Sequence, residues 1–258
     1  MTITLTTREH AELWAEAALN SLHNTSSQRN EFLCEVPRQL GKGYVQNIEL
    51  HPHLWLSIED CEYYDDVLIK TPSWNHPLQF MVLLSGIITD DYGCHGGGRT
   101  LISGSGIQRA MTFELQKSQR LVGVNIHMEP ELLGTFFSRE PGQIPSEFQL
   151  LAKGNDWQTL LYPQITTAIR FLTQQIINCP YQGITKRMYL QGKVLELMAL
   201  QLAPILADRG IQQTAPRLKS ETIARIHHAR EIMLSRLENP PSLMELATLV
   251  GMSDRTLL

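Results

Sequence analysis

Seventeen residues at the end of the chain, Ser242-Leu-Met-Glu-Leu-Ala-Thr-Leu-Val-Gly-Met-Ser-Asp-Arg-Thr-Leu-Leu258, constrain the fold more than any other stretch. Ser242 and Glu245 have the spacing of a capping box, in which each satisfies a free donor at a helix start. Leu243, Leu246, Ala247 and Val250 then share one helical face. Gly251 falls where that helix must stop, because the turn asks for a residue that tolerates positive φ. Small Ala247 admits a second helix at close range, Met252 and Leu257 plug the angle between the two, and Ser253 caps the second. A plain helical hairpin shares this outline. The preceding helix predicted over 220–238 and its stop at Asn239-Pro240-Pro241 favour a helix-turn-helix, which presents the start of its second helix to a major groove. Ser253, Asp254, Arg255 and Thr256 are then the candidate DNA contacts. Leu246, Ala247, Val250, Gly251, Met252 and Leu257 hold the motif together. Arg255 suits a guanine edge or a phosphate equally.

Net charge neither supports nor opposes that reading. The total is −4, but residues 1–216 carry 16 basic and 21 acidic side chains, while 217–258 carry six and five. The asymmetry is small, so a nucleic-acid assignment rests on pattern. With 43% hydrophobic and 19% charged residues over 258 positions, the chain can bury a sizeable core. No window reaches 18 uncharged apolar residues, which argues against a membrane span. The N-terminus lacks the basic flank and apolar stretch of a secretory signal. Cys34, Cys61, Cys94 and Cys179 lie far apart without CxxC spacing, which argues against a zinc module or disulfide scaffold and for a reducing cytoplasm.

Between residues 43 and 128 short apolar runs alternate with turn residues. Strands are predicted through Tyr44–Leu50, Leu54–Ile58, Val67–Ile69, Phe80–Leu84 and Leu121–His127, the pattern of an antiparallel sandwich or barrel. Gly93-Cys-His-Gly-Gly-Gly98 has too little side chain for a strand and reads as a flexible turn. Helices are predicted from a Thr7 cap to Asn20, from Glu131 to Phe137, from Leu160 to Ile177 and from Ile184 to Leu206. The last two are too apolar to stand alone; they must pack on each other, on the sheet or on a second copy of the chain. Residues 208–216 form a polar connector.

The C-terminal region resembles the AraC/XylS family of transcription regulators. The resemblance lies in Ile226-His-His-Ala-Arg230-Glu-Ile-Met-Leu234, Asn239-Pro-Pro-Ser-Leu243, Glu245-Leu-Ala247, Val250-Gly-Met-Ser253 and Leu257, and covers about 217–258. Members carry two helix-turn-helix units joined by a linker helix. Against that pattern the chain stops inside the recognition helix of the first unit, and binding to double-stranded promoter DNA is expected to be weakened. Upstream, Leu101-Ile-Ser-Gly-Ser-Gly106, Arg120 to Pro130 and Tyr189 to Leu202 are similar to the pyochelin regulator-like subgroup. The resemblance implies an α+β protein in three parts. A cupin-like antiparallel β sensor domain with an N-terminal helix takes 1–140, a helical dimerisation segment 141–212, and a partial all-α helix-turn-helix domain 213–258. It further implies a small-molecule effector such as a ferric siderophore, a homodimer, a contact with RNA polymerase, no cofactor and no catalysis.

Other constellations are weaker. His51-Pro-His53, with Glu59 and the later His127, outlines a metal-dependent cupin enzyme. Pro52 interrupts the strand and the Glu59 offset is unusual, so a turn histidine pair is favoured over a ligand set, and no metal site is assigned. A sensor fragment that does not bind DNA is a further alternative. Cys94-His95 reads as chance neighbours in a turn, and Ser103-Gly-Ser105-Gly106 lacks hydrolase-elbow spacing. If a ligand enters the β domain, Trp55, Trp74 and Phe80 are candidate walls for a flat aromatic chelate. Lys117 with Arg120, or Arg99 with Arg109, could balance an anionic ligand, although solvation is the commoner fate of such residues.

Overall fold

The computed structural model describes residues 2–22, 31–138, 143–212 and 239–253, with Arg225, His228, Ala229, Ile232, Met233 and Arg236 besides. The chain divides into two compact units, Met1–Leu206 and Ala207–Leu258.

The first unit is α+β, with two large sheets. One has five strands in the order β1 (Thr2–Thr6), β5 (Asp66–Thr71), β12 (Met111–Leu115), β8 (Ile87–Asp90) and β9 (Gly93–Gly96). The other has seven: β15 (Leu160–Leu161), β10 (Leu101–Ser103), β7 (Leu78–Ser85), β13 (Arg120–Met128), β4 (Leu54–Tyr63), β3 (Gly41–His51) and β2 (Glu31–Glu35). A small third sheet joins β14 (Ala152–Trp157), β11 (Ser105–Gln108) and β6 (Trp74–His76). Pairing is antiparallel except for β1 with β5 and β11 with β14.

The uninterrupted apolar run in β7 explains the layering, since a strand without alternation needs both faces covered. Leu78, Phe80 and Val82 enter a core shared with Leu132 and Leu133 of α2 (Glu131–Phe137), with Ile169, Leu172 and Ile176 of α3 (Thr167–Ile177) and with Leu190, Val194 and Leu197 of α4 (Gly183–Gln212). Met81 and Leu83 enter a second core with Val67, Ile88 and Leu115 of the five-stranded sheet. The seven-stranded sheet is therefore the middle layer, with helices on one face and the other sheet on the opposite face. By length and composition Gly183–Ala207 could cross a bilayer, at mean hydropathy 1.2. In the fold its apolar stripe packs on the sheet instead. Arg187 and Gln191 donate to the Leu50 carbonyl, and Lys186 meets Glu31 at 2.6 Å.

Three local expectations are corrected. The cap of α1 (Thr7–Leu22) is Thr6, not Thr7: Thr6 Oγ1 accepts from the Glu9 amide at 3.2 Å, and the Glu9 carboxylate accepts from the Thr6 amide at 2.8 Å. This reciprocal box holds Glu9 below the usual carboxylate range. The helix expected from Leu160 begins at Thr167, capped by the Thr166 hydroxyl, because Leu160 and Leu161 pair with Ser103 and Ile102 as a sheet edge. Gly93–Gly96 is a strand, not a turn. It pairs with β8 in the register Ile87↔Gly96, Ile88↔His95 and Thr89↔Cys94. Backbone hydrogen bonds suffice to hold it, and the missing side chain is what allows the approach, since a Cβ on Gly96 would lie 2.2 Å from the Gly86 carbonyl oxygen.

In the second unit Arg225, His228, Ala229, Ile232 and Met233 are helical, and α5 spans Leu243–Val250. Leu246, Val250 and Ala229 form a small core, with Ile232 and Met252 packed against it.

Candidate ligand cavity and helix-turn-helix corner

A cavity of about 570 Å³ opens in the first unit between the five-stranded sheet and β7 and β10, within the size range of small-molecule sites. Its walls are largely apolar: Ile69 from β5, Met81 from β7, Ile88 from β8, Leu101 from β10, and Met111, Phe113 and Leu115 from β12. Thr7 and His10 of α1 line it as well, as do Trp74 and His76 of β6.

The polar groups differ in how far they are satisfied. Ser103 Oγ donates to Gln158 Oε1 at 2.9 Å, and Gln79 Nε2 donates to Asn125 Oδ1 at 2.9 Å. His76 Nδ1 lies 2.5 Å from the Pro77 carbonyl oxygen, and its ring meets Trp74 edge-on at 4.9 Å. By contrast His95 Nδ1 and Gln108 Nε2, on residues 2% and 3% exposed, have no partner.

Burial sets the electrostatics. Desolvation lowers His10 and His76 and pushes His95 down to about 4, so all three are neutral near pH 7. Asp90 is raised by desolvation, opposed by amide hydrogen bonds from Tyr92 and Gly93 at 2.7 and 2.9 Å. No lysine or arginine stands among the described lining residues.

The candidate ligand residues separate. Trp74, 46% exposed, lines the cavity. Phe80 is wholly buried on the opposite, helix-facing side of its sheet, because successive side chains of a strand face opposite ways and Phe80 shares parity with Leu78 and Val82. Trp55 packs edge-on against Phe32 at 6.2 Å and is not a lining residue. Of the candidate cations, Arg120 is paired with Asp60 at 2.6 Å and Arg109 lies over the Trp157 ring at 4.7 Å. Neither lines the cavity, and nor do Lys117 and Arg99. His95, which sequence reading placed in a turn, is a wall of the cavity. Gln79 and Gln108 carried no signal, being single polar residues among apolar neighbours, and Ser103 stood out only within the Leu101–Gly106 run.

The rival enzyme set is dispersed. His51 packs its ring on Phe136 at 5.4 Å, and exposed His53 occupies a turn at φ 68°. Glu59 is hydrogen-bonded by Asn125, and the His127 ring lies 6.2 Å from that of His76. Among the described residues no three His, Cys, Asp or Glu side chains converge as a metal site.

The second unit has its own constructed feature. The Ser242 hydroxyl accepts from the Glu245 amide at 3.3 Å, while the Glu245 carboxylate meets Arg236 at 3.3 Å. At the other end Gly251 sits at φ 64°, ψ 39°. The Met252 amide bonds the Ala247 carbonyl at 2.9 Å and the Gly251 amide bonds Thr248 at 3.2 Å, a Schellman turn. Arg225 donates to the Gly251 carbonyl. Ala247 and Val250 are buried and Leu243 is exposed, so the buried face is narrower than expected. Ser253 is exposed, and Asp254, Arg255, Thr256 and Leu257 lie outside the described residues.

Residues 40–218 match the family described as Regulatory protein PchR N-terminal domain. The chain belongs to that family. It is also 42% identical over 90 residues to Regulatory protein PchR of Pseudomonas aeruginosa, a match covering 35% of this chain and 30% of that relative. The matched stretch is thus less than a third of the relative's length. Among solved structures, the chain is similar to ToxT of Vibrio cholerae. The apo form gives 9% identity and a TM-score of 0.37, covering 80% of this chain and 78% of the other. The form bound to unsaturated fatty acid gives 8% and 0.35, covering 81% and 90%. Similarity at that level fixes neither fold nor ligand.

Proposed function

We propose that this PchR-family chain is a ligand-responsive, AraC-type transcription regulator of the cytoplasm. A small effector occupies the cavity between the sheets, the helical segment pairs two subunits, and the second unit engages promoter DNA. The observation that carries the reading is the corner at Gly251. A left-handed glycine closes a capped helix whose Ala247 and Val250 are buried, which is how a helix-turn-helix sets the direction of its second helix. Ser253, Asp254, Arg255 and Thr256 are the proposed DNA contacts. The resemblance to pyochelin regulator-like members supports a ferric siderophore as the effector. Effector binding regulates only by favouring one of two arrangements with different DNA affinity.

The test is selection of duplexes from a randomised pool on the chain, with an Ala247→Glu variant as control. The corner requires a small apolar residue at 247, so the wild type enriches a defined half-site and the variant does not. A pool left equally flat by both proteins refutes the DNA-binding assignment.

A further inference from the structure

We propose that the cavity selects an uncharged effector with an apolar body, whose hydrogen-bonding groups complete His95 and Gln108, and that it rejects anions. This rests on the reading of the cavity as the effector site and narrows the chemistry of what enters it.

Two independent observations carry the inference. The first is charge. The described lining residues include no lysine or arginine, while Asp90 would repel a negative group. Arg109, next in sequence to the lining residue Gln108, is engaged on the Trp157 ring instead. Moving an anion out of water into such a site leaves its charge uncompensated. The second is hydrogen-bonding capacity. Ser103, Gln79 and His76 already have partners within the protein. His95 Nδ1 and the Gln108 amide nitrogen do not, although both residues are almost wholly buried. Buried polar groups are rarely left unmatched, and on residues that line a cavity a bound molecule is one partner that would match them. Gln108 Nε2 is a donor and asks for a carbonyl, phenol or imine acceptor. A metal-free molecule of this kind fits. A ferric siderophore fits only as a chelate without net charge that wraps its iron in its own donors, because no three protein ligands converge among the described residues.

Two naphthalene probes of similar size separate charge from shape. Prodan is uncharged and carries one carbonyl acceptor, whereas 8-anilinonaphthalene-1-sulfonate is an anion. Fluorescence titration of the full chain is expected to show one saturable prodan site, at least about tenfold tighter than the sulfonate. The trianion tris(catecholato)ferrate should not displace prodan. Gln108→Leu, with its fold checked by circular dichroism, should weaken prodan about fivefold and shift its bound emission to the blue as the carbonyl loses its donor. Ser103→Phe, which fills the cavity, should abolish the site. Sulfonate binding as tightly as prodan and displaced by it would overturn the charge selection while leaving the cavity as the effector site. An unchanged affinity in Gln108→Leu would remove the hydrogen-bonding part. Absence of prodan binding to the wild type, or binding indifferent to Ser103→Phe, would sink the effector cavity itself.

Discussion

Glu59→Gln removes a charge from the middle layer of the first unit while keeping the side chain's shape and an acceptor for Asn125. Glu59 stands on β4 opposite Val45 of β3 and Gly123 of β13, half-buried, and desolvation raises it from 4.5 to about 7 against the opposing Asn125 hydrogen bond. A carboxyl whose folded pKa is raised binds more protons folded than unfolded. Its contribution to stability is therefore fully present below about pH 4.5 and lost as pH rises through 7. Linkage over that interval makes the ionised glutamate cost about 3 kcal/mol by pH 8 and under about 1 kcal/mol at pH 5. Urea titration can follow this unit by itself, because all four tryptophans, Trp14, Trp55, Trp74 and Trp157, lie within Met1–Leu206. The stability of Glu59→Gln relative to wild type should rise by about 2–3 kcal/mol between pH 5 and pH 8. A difference that stays constant with pH, or one that shrinks, would refute burial as the cause of the shift.

Two further perturbations separate the parts of the molecule. Gly251→Ala forces an L side chain into the left-handed region, where the added Cβ meets Arg225 Nη1 only at ordinary contact distance, 3.4 Å. The backbone penalty of about 1–2 kcal/mol should thus appear alone, as faster amide exchange across 243–252, and Gly251→Asn should recover part of the protection. Phe80→Ala should destabilise the first unit by about 3–5 kcal/mol in urea. It should leave prodan affinity unchanged, because Phe80 faces the helices and not the cavity; weakened binding would place Phe80 in the site.

The strands and helices with strong periodicity were legible because their signal is local. β3, β4, β5, β7 and β13 each carry a run of apolar residues bounded by turn chemistry, and α5 carries its own start and stop in Ser242 and Gly251. The glycine turn is a property of six consecutive residues, Ala247–Met252, and no distant contact is needed to infer it. Short strands such as β6, β9, β11 and β15 were not legible. Gly93–Gly96 has no strand propensity of its own and becomes a strand because β8 offers a paired edge. Leu160 and Leu161 fit a helix by pattern and a sheet edge by partner, and the partner wins.

The cavity lies almost entirely on the side that tertiary structure decides. Its walls come from a helix and nine strands spread from Thr7 to Leu160, so no spacing in the sequence marks them. Strand parity alone removes Phe80 and admits Gln79 and Met81 on either side of it. The same holds for charge. The sequence counts its arginines, but which of them face a ligand depends on Asp60 and Trp157 having already engaged Arg120 and Arg109. Local chemistry thus determined the periodic elements and the corner at Gly251, because those follow from neighbours along the chain. The neutral, half-satisfied interior at His95 and Gln108 was decided by which strands met, since burial and unpaired hydrogen-bonding capacity exist only once distant segments have excluded water together.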